Sequence, residues 1–144
     1  MSTDDEHDLN RFVEAQRTTY ERALAELRGG RKRSHWMWYV FPQLAGLGRS
    51  ATAERYAIAS LAEAQAYLKH PVLGPRLIEC ATAVLDVEGR SAHEIFGSPD
   101  DWKLRSCATL FALASAPESV FSRLLAKYFD GRQDEQTVRL LSRA

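Results

Sequence analysis

The feature that constrains this chain most is its hydrophobic rhythm. Apolar residues return at steps of three and four along nearly every segment, and no segment alternates apolar and polar residues at a step of two. The first spacing lines one face of a helix; the second would line one face of a strand. Leu9, Phe12, Val13, Gln16, Tyr20, Leu24 and Leu27 set the pattern. It returns in Leu77, Cys80, Ala81, Val84 and Leu85, in Leu104, Cys107, Ala108, Phe111 and Ala114, and in Val120, Phe121, Leu124, Leu125 and Tyr128. No hairpin dipeptide such as Asn-Gly interrupts it. The expected fold class is all-α: a single compact globular bundle of six to eight helices over 8–144, behind a disordered polar tail at 1–7.

Local signals place the helix ends. Asp8 is the expected N-cap of a first helix that stops at Gly29-Gly30. Ser60 and Glu63 form a capping box for a helix ending near Lys69, because Pro71 disfavours helical geometry at His70. A further helix starts near Pro75 and ends before Gly89. Ser91 and Glu94 form a second capping box. Ser98-Pro99-Asp100-Asp101 offers a cap hydroxyl, a proline at the first helical position and two acids on the positive end of the dipole. Pro117 opens the next helix, which Gly131 stops, and Asp134 caps a last one with Val138 and Leu141 inward.

A chain of 144 residues suits one core. Nineteen acids balance nineteen bases, which disfavours nucleic acid and acidic membranes as partners; the one local excess is Arg28, Arg31, Lys32 and Arg33. Cys80 and Cys107 sit in apolar runs without C-x-x-C spacing and read as reduced core residues. The start of the chain lacks the basic-then-apolar pattern of a signal peptide, and no apolar run approaches the roughly 18 residues of a membrane span. A cytoplasmic monomer is expected. His7, His70 and His93 lie far apart with no ligand spacing, so neither a metal nor another cofactor is expected.

The candidate site is "GGRKRSHWMWYVFPQLAGLGRS", Gly29 to Ser50. Gly46, Gly48 and Ala51 match the dinucleotide fingerprint, but Pro42 breaks the preceding strand and two prolines fall where the second strand should be. A helix starting at Ser50 with Arg49 beside it would suit a phosphate or carboxylate; the alternative is a loop closed by an N-cap. Lys32 and Arg33 would add charge, Trp36 and Trp38 flat walls, and Gln43 orientation. His35 is the candidate acid or base, with Asp101 and Lys103 as supports. Trp102, near a helix start, is expected to pack against the first aromatic stretch. These residues fit a pocket for a small anionic, nucleotide- or sugar-phosphate-like ligand, with room for acid–base hydrolase or transferase chemistry and no sign of a dedicated nucleophile. The alternative is a protein-interaction module that uses Trp36–Phe41 as its contact surface.

"GRKRSHWMWYVFPQLAGLGRS", "YAIASLAEAQAYLKHPVLGPRL" and "IFGSPDDWKLRSCATLF" together resemble a small bacterial family of unknown function that is often mislabelled "calpastatin". The resemblance runs from about Asp8 to Leu141. It implies a compact, all-helical, monomeric domain with one central helix ringed by the others, and no particular reaction. Trp102 is the one departure, standing where a less bulky residue is expected.

Overall fold

The structure, a computed structural model, describes residues 7–143. Among these there are ten helices: α1 (Asn10–Gln16), α2 (Tyr20–Arg28), α3 (Met37–Val40), α4 (Ala51–Arg55), α5 (Leu61–Lys69), α6 (Leu73–Leu85), α7 (Ala92–Phe96), α8 (Asp100–Leu113), α9 (Val120–Phe129) and α10 (Glu135–Ser142). β pairing among the described residues is a single parallel bridge between Leu44 and Ile58. Of the tail expected at 1–7, residues 1–6 lie outside the described residues; the His7 carbonyl accepts a hydrogen bond from Arg11.

The all-α class holds, with more helices than the spacing predicts. The long first helix is broken into α1 and α2 at 17–19. There the Thr19 hydroxyl donates to the Ala15 carbonyl and the Thr19 amide bonds only three residues back, to Gln16. Such back-bonding by a β-branched residue competes with the helix ladder. Asp8 does not cap α1. Its φ is +51°, and Leu9 takes the cap position without a side-chain bond.

Other boundaries shift for equally local reasons. Ser60 accepts the Glu63 amide as expected, but the Glu63 carboxylate returns to the Ala59 amide and to Arg11, tying α5 to α1. The Ser91–Glu94 box is complete. α8 begins one residue late: Pro99 holds the cap position, and no side chain caps the helix. α9 starts at Val120 under a Ser119 cap, past Pro117, and turns at Asp130 with φ +56°. Asp134 caps α10, where Thr137 is buried and Leu140 packs on the core, while Val138 stays exposed.

α8 is the central helix. Leu104, Ser106, Cys107, Ala108, Thr109, Leu110 and Phe111 are all buried, so no single polar face remains along its middle. It packs on α9, α7, α10 and α5, and α6 packs in turn on α9, α2 and α5. Its two buried hydroxyls are satisfied by their own helix: Ser106 donates to Trp102 and Thr109 to Arg105. Trp36, Tyr67, Phe12, Phe41, Phe111 and Phe121 fill the core around it, each large side chain contributing about 1.5–3 kcal/mol. Cys80 and Cys107 are free and buried; burial pushes the Cys80 thiol up to about 12 and Cys107 well above its ordinary value. No helix among the described residues is long and apolar enough to cross a membrane.

Candidate functional site

The aromatic stretch is mostly spent on the fold. α2 aims Glu26 at the chain that leaves it. One carboxylate oxygen accepts the Arg33 amide at 2.8 Å, the Ser34 amide at 3.0 Å and the Trp36 indole N–H at 2.9 Å; the other accepts the Ser34 hydroxyl at 2.6 Å. Burial raises the Glu26 pKa, but these four donors outweigh it, and the group falls to about 2. Trp36 is therefore buried, with its polar end satisfied. Met37, Val40 and Phe41 are buried with it. Residues Trp36–Phe41 offer no continuous contact surface, which removes the basis for the interaction module on this stretch.

Lys32 is spent in the same way. Its ammonium lies 2.9 Å from Asp100 and its side chain is only 7% exposed. It also donates to the Ser34 carbonyl and sits 5.0 Å from the Trp36 ring centroid. Lys103 meets the other oxygen of Asp100 at 3.3 Å and lies 3.6 Å over the Trp38 ring. The 31–50 and 98–107 clusters thus do meet, at Asp100. They meet as a closed knot in which two ammonium groups share one carboxylate and two indole faces.

The loop between α3 and α4 is closed by backbone. Ile58 donates to the Gln43 carbonyl and Ala45 to the Ile58 carbonyl, both at 2.8 Å. Ser50 caps α4 by accepting the Ala53 amide. A Cβ on Gly48 would come within 2.6 Å of the Ala53 Cβ, so this glycine serves close loop packing. The space among Trp38, Gln43, Gly48, Ala53 and Tyr56 is about 10 Å³, room for about one water. Arg33, His35 and Arg49 are exposed. No side-chain partner holds the His35 ring among the described residues, and Asp101 is turned elsewhere.

Asp101 faces His93. Its Oδ2 lies 3.3 Å from His93 Nδ1, and its Oδ1 accepts the Trp102 amide at 2.9 Å. The capping box of α7 fixes the turn that carries His93, and the first two turns of α8 carry Asp101, Trp102 and Arg105. Contrary to the sequence expectation, Trp102 is 60% exposed. With Ser91, Ala92, His93, Asp101, Arg105, Tyr128 and Phe129 it lines a groove of about 280 Å³. Its lining joins the aromatic rings of Trp102, Tyr128 and Phe129 to the histidine–carboxylate pair. Arg105 completes the lining. Its Nε and Nη2 donate to the Arg132 and Gln133 carbonyls at 3.0 Å, which fixes the guanidinium without neutralising it. A carboxylate on Nδ1 orients the imidazole and leaves Nε2 for another partner.

Of the sequence-predicted residues, this groove contains Asp101 alone. His93, Trp102 and Arg105 were legible in part. The inward stripe of α8 runs through Leu104, Cys107 and Phe111 and misses position 102, which is the signal that Trp102 lies off the core. The contact between His93 and Asp101 crosses from one helix to the next and had no local signature. Among the described residues no group of three or more His, Cys, Asp or Glu is placed to hold a metal ion.

A family model described as "Protein of unknown function (DUF1810)" matches residues 6–141. The crystal structure of the conserved hypothetical protein Rv1873 from Mycobacterium tuberculosis is similar over 94% of this chain and 96% of that one, with 59% identity and a TM-score of 0.92. Neither description carries the calpastatin label. No curated protein matches the chain.

Proposed function

The chain belongs to the DUF1810 family of unknown function, and we propose that it binds a small ligand with a flat ring and an anionic group in the α7–α8–α9 groove. The observation that carries this reading is the exposed Trp102 in the lining of a groove that also presents Tyr128 and Phe129. Exposing such a ring to solvent gains nothing for the fold, whereas a stacked ligand ring gains contact with the open indole face. Arg105 supplies a fixed positive charge for the anionic group. The His93–Asp101 pair gives the site a group able to accept or donate a proton, which gives acid–base hydrolase or transferase chemistry on the bound ligand a geometric basis. This keeps the ligand class expected from sequence and moves its site away from His35, Arg49 and Ser50. The buried free thiols fit a reducing, cytoplasmic setting, and we take the protein as a monomer there.

The test is a thermal-shift and tryptophan-fluorescence screen against nucleotides, sugar phosphates and small aromatic acids. A ligand at about 100 times its dissociation constant stabilises by about 2.7 kcal/mol. The expected result is a shift that Trp102→Ala abolishes and His35→Ala leaves intact. A shift that survives Trp102→Ala but disappears in Arg49→Ala would return the site to the Ser50 loop.

A further inference from the structure

Arg105 is also a wall of a second groove, of about 490 Å³, which runs between α8 and α10 and is lined by Arg105, Arg132, Gln133, Glu135, Val138 and Arg139. We infer that this groove continues the first one and holds the extended anionic tail of the same ligand, so that the ligand class is a ring compound carrying two or more linked negative groups, as in a nucleoside di- or triphosphate. This rests on the ring-binding reading above.

The charge distribution carries the inference. The chain as a whole is neutral, yet three guanidinium groups line this groove against one carboxylate. Among the described residues that carboxylate, Glu135, reaches only Arg139, at 3.9 Å, and both side chains are largely exposed. A pair so long and so exposed gives up little when an anion displaces it. Arg132 has no ion-pair partner among the described residues, and its carbonyl is one of the two that fix Arg105. Arg105 is therefore held without being neutralised, Arg132 and Arg139 line the same groove, and guanidinium groups match phosphate oxygens through paired N–H donors. A ligand with one negative group needs Arg105 alone. The second groove, which shares Arg105 with the first, adds both room and further cations.

The experiment uses the full chain without divalent metal and three probes: inorganic tripolyphosphate, AMP and ATP, read by calorimetry. The expected result is that tripolyphosphate binds, that ATP binds at least tenfold more tightly than AMP, and that Arg132→Ala with Arg139→Ala lowers ATP affinity about tenfold or more while leaving AMP unchanged. Trp102→Ala should weaken AMP and ATP but leave tripolyphosphate as it was. Failure of tripolyphosphate to bind, or equal affinity for AMP and ATP, overturns the tail site whatever the ring does. Tripolyphosphate binding together with nucleotide affinities that ignore Trp102→Ala would overturn the ring site and leave the arginine groove standing. Circular dichroism of each variant separates lost binding from lost fold.

Discussion

The stretch from Arg31 to Ser50 and the turn from Ser91 to Arg105 make an instructive pair. Both combine tryptophan, histidine and cations. In the first, the polar groups that are buried already have protein partners, while Arg33, His35 and Arg49 stand at the surface: Glu26 holds Trp36 and Ser34, and Asp100 holds Lys32 and Lys103. In the second, Trp102 faces solvent, Arg105 is bonded only to carbonyls, and the His93 ring keeps one nitrogen clear of Asp101. Aromatic and basic residues mark a binding site only where the protein has not already used them. The same composition builds a knot in one place and a groove in the other.

Breaking the knot should cost stability and spare the groove. Glu26→Ala is expected to have the largest effect, about 3 kcal/mol, because it leaves the buried Trp36 N–H without an acceptor; urea unfolding measures it. Its pH dependence follows from the lowered pKa. The carboxylate's contribution is complete above about 4.5, its ordinary value, and is lost as pH falls toward about 2. Acid unfolding of Glu26→Gln should therefore be flatter than that of wild type across this window. An equally steep acid limb would assign the acid sensitivity to another carboxylate.

Asp100→Ala comes next, at about 2 kcal/mol, since it leaves two neighbouring ammonium groups facing each other, one of them nearly buried. Chemical denaturation of Asp100→Ala beside Lys103→Ala checks this; the double variant should recover part of the loss by relieving the repulsion. Gly48→Ala is expected to cost about 1 kcal/mol through its close approach to Ala53, seen as a lower Tm with no change in ligand affinity. A ligand-specific effect there would revive the Ser50 loop as a site. The smallest stability change belongs to Trp102→Ala, within about 0.5 kcal/mol, and it is the variant expected to remove ring-ligand binding. A loss of several kcal/mol instead would mean that Trp102 is part of the core packing and would dissolve the contrast between the two regions.

Much of the fold was legible because its signals are short-range. Helical spacing of Leu104, Cys107 and Phe111 identified α8, and the caps at Ser60, Ser91 and Asp134 work through amides three residues on. The break at Thr19 was missed because apolar spacing continues across it, while the hydroxyl that interrupts the ladder leaves no mark in that pattern. The candidate site was legible only in kind. Sequence proximity draws attention to Lys32, His35, Trp36 and Arg49, whereas the groove takes His93, Asp101, Trp102 and Arg105 from two helices.

The sequence by itself determined the class of fold, the main helices and the neutral overall charge, since these depend on residue type and on neighbours one turn away. Tertiary structure alone decided which charges are neutralised. Lys32 meets Asp100 and His93 meets Asp101 because α7 and α8 pack where they do, and an ion pair depends on distance in space, which the order of residues does not carry.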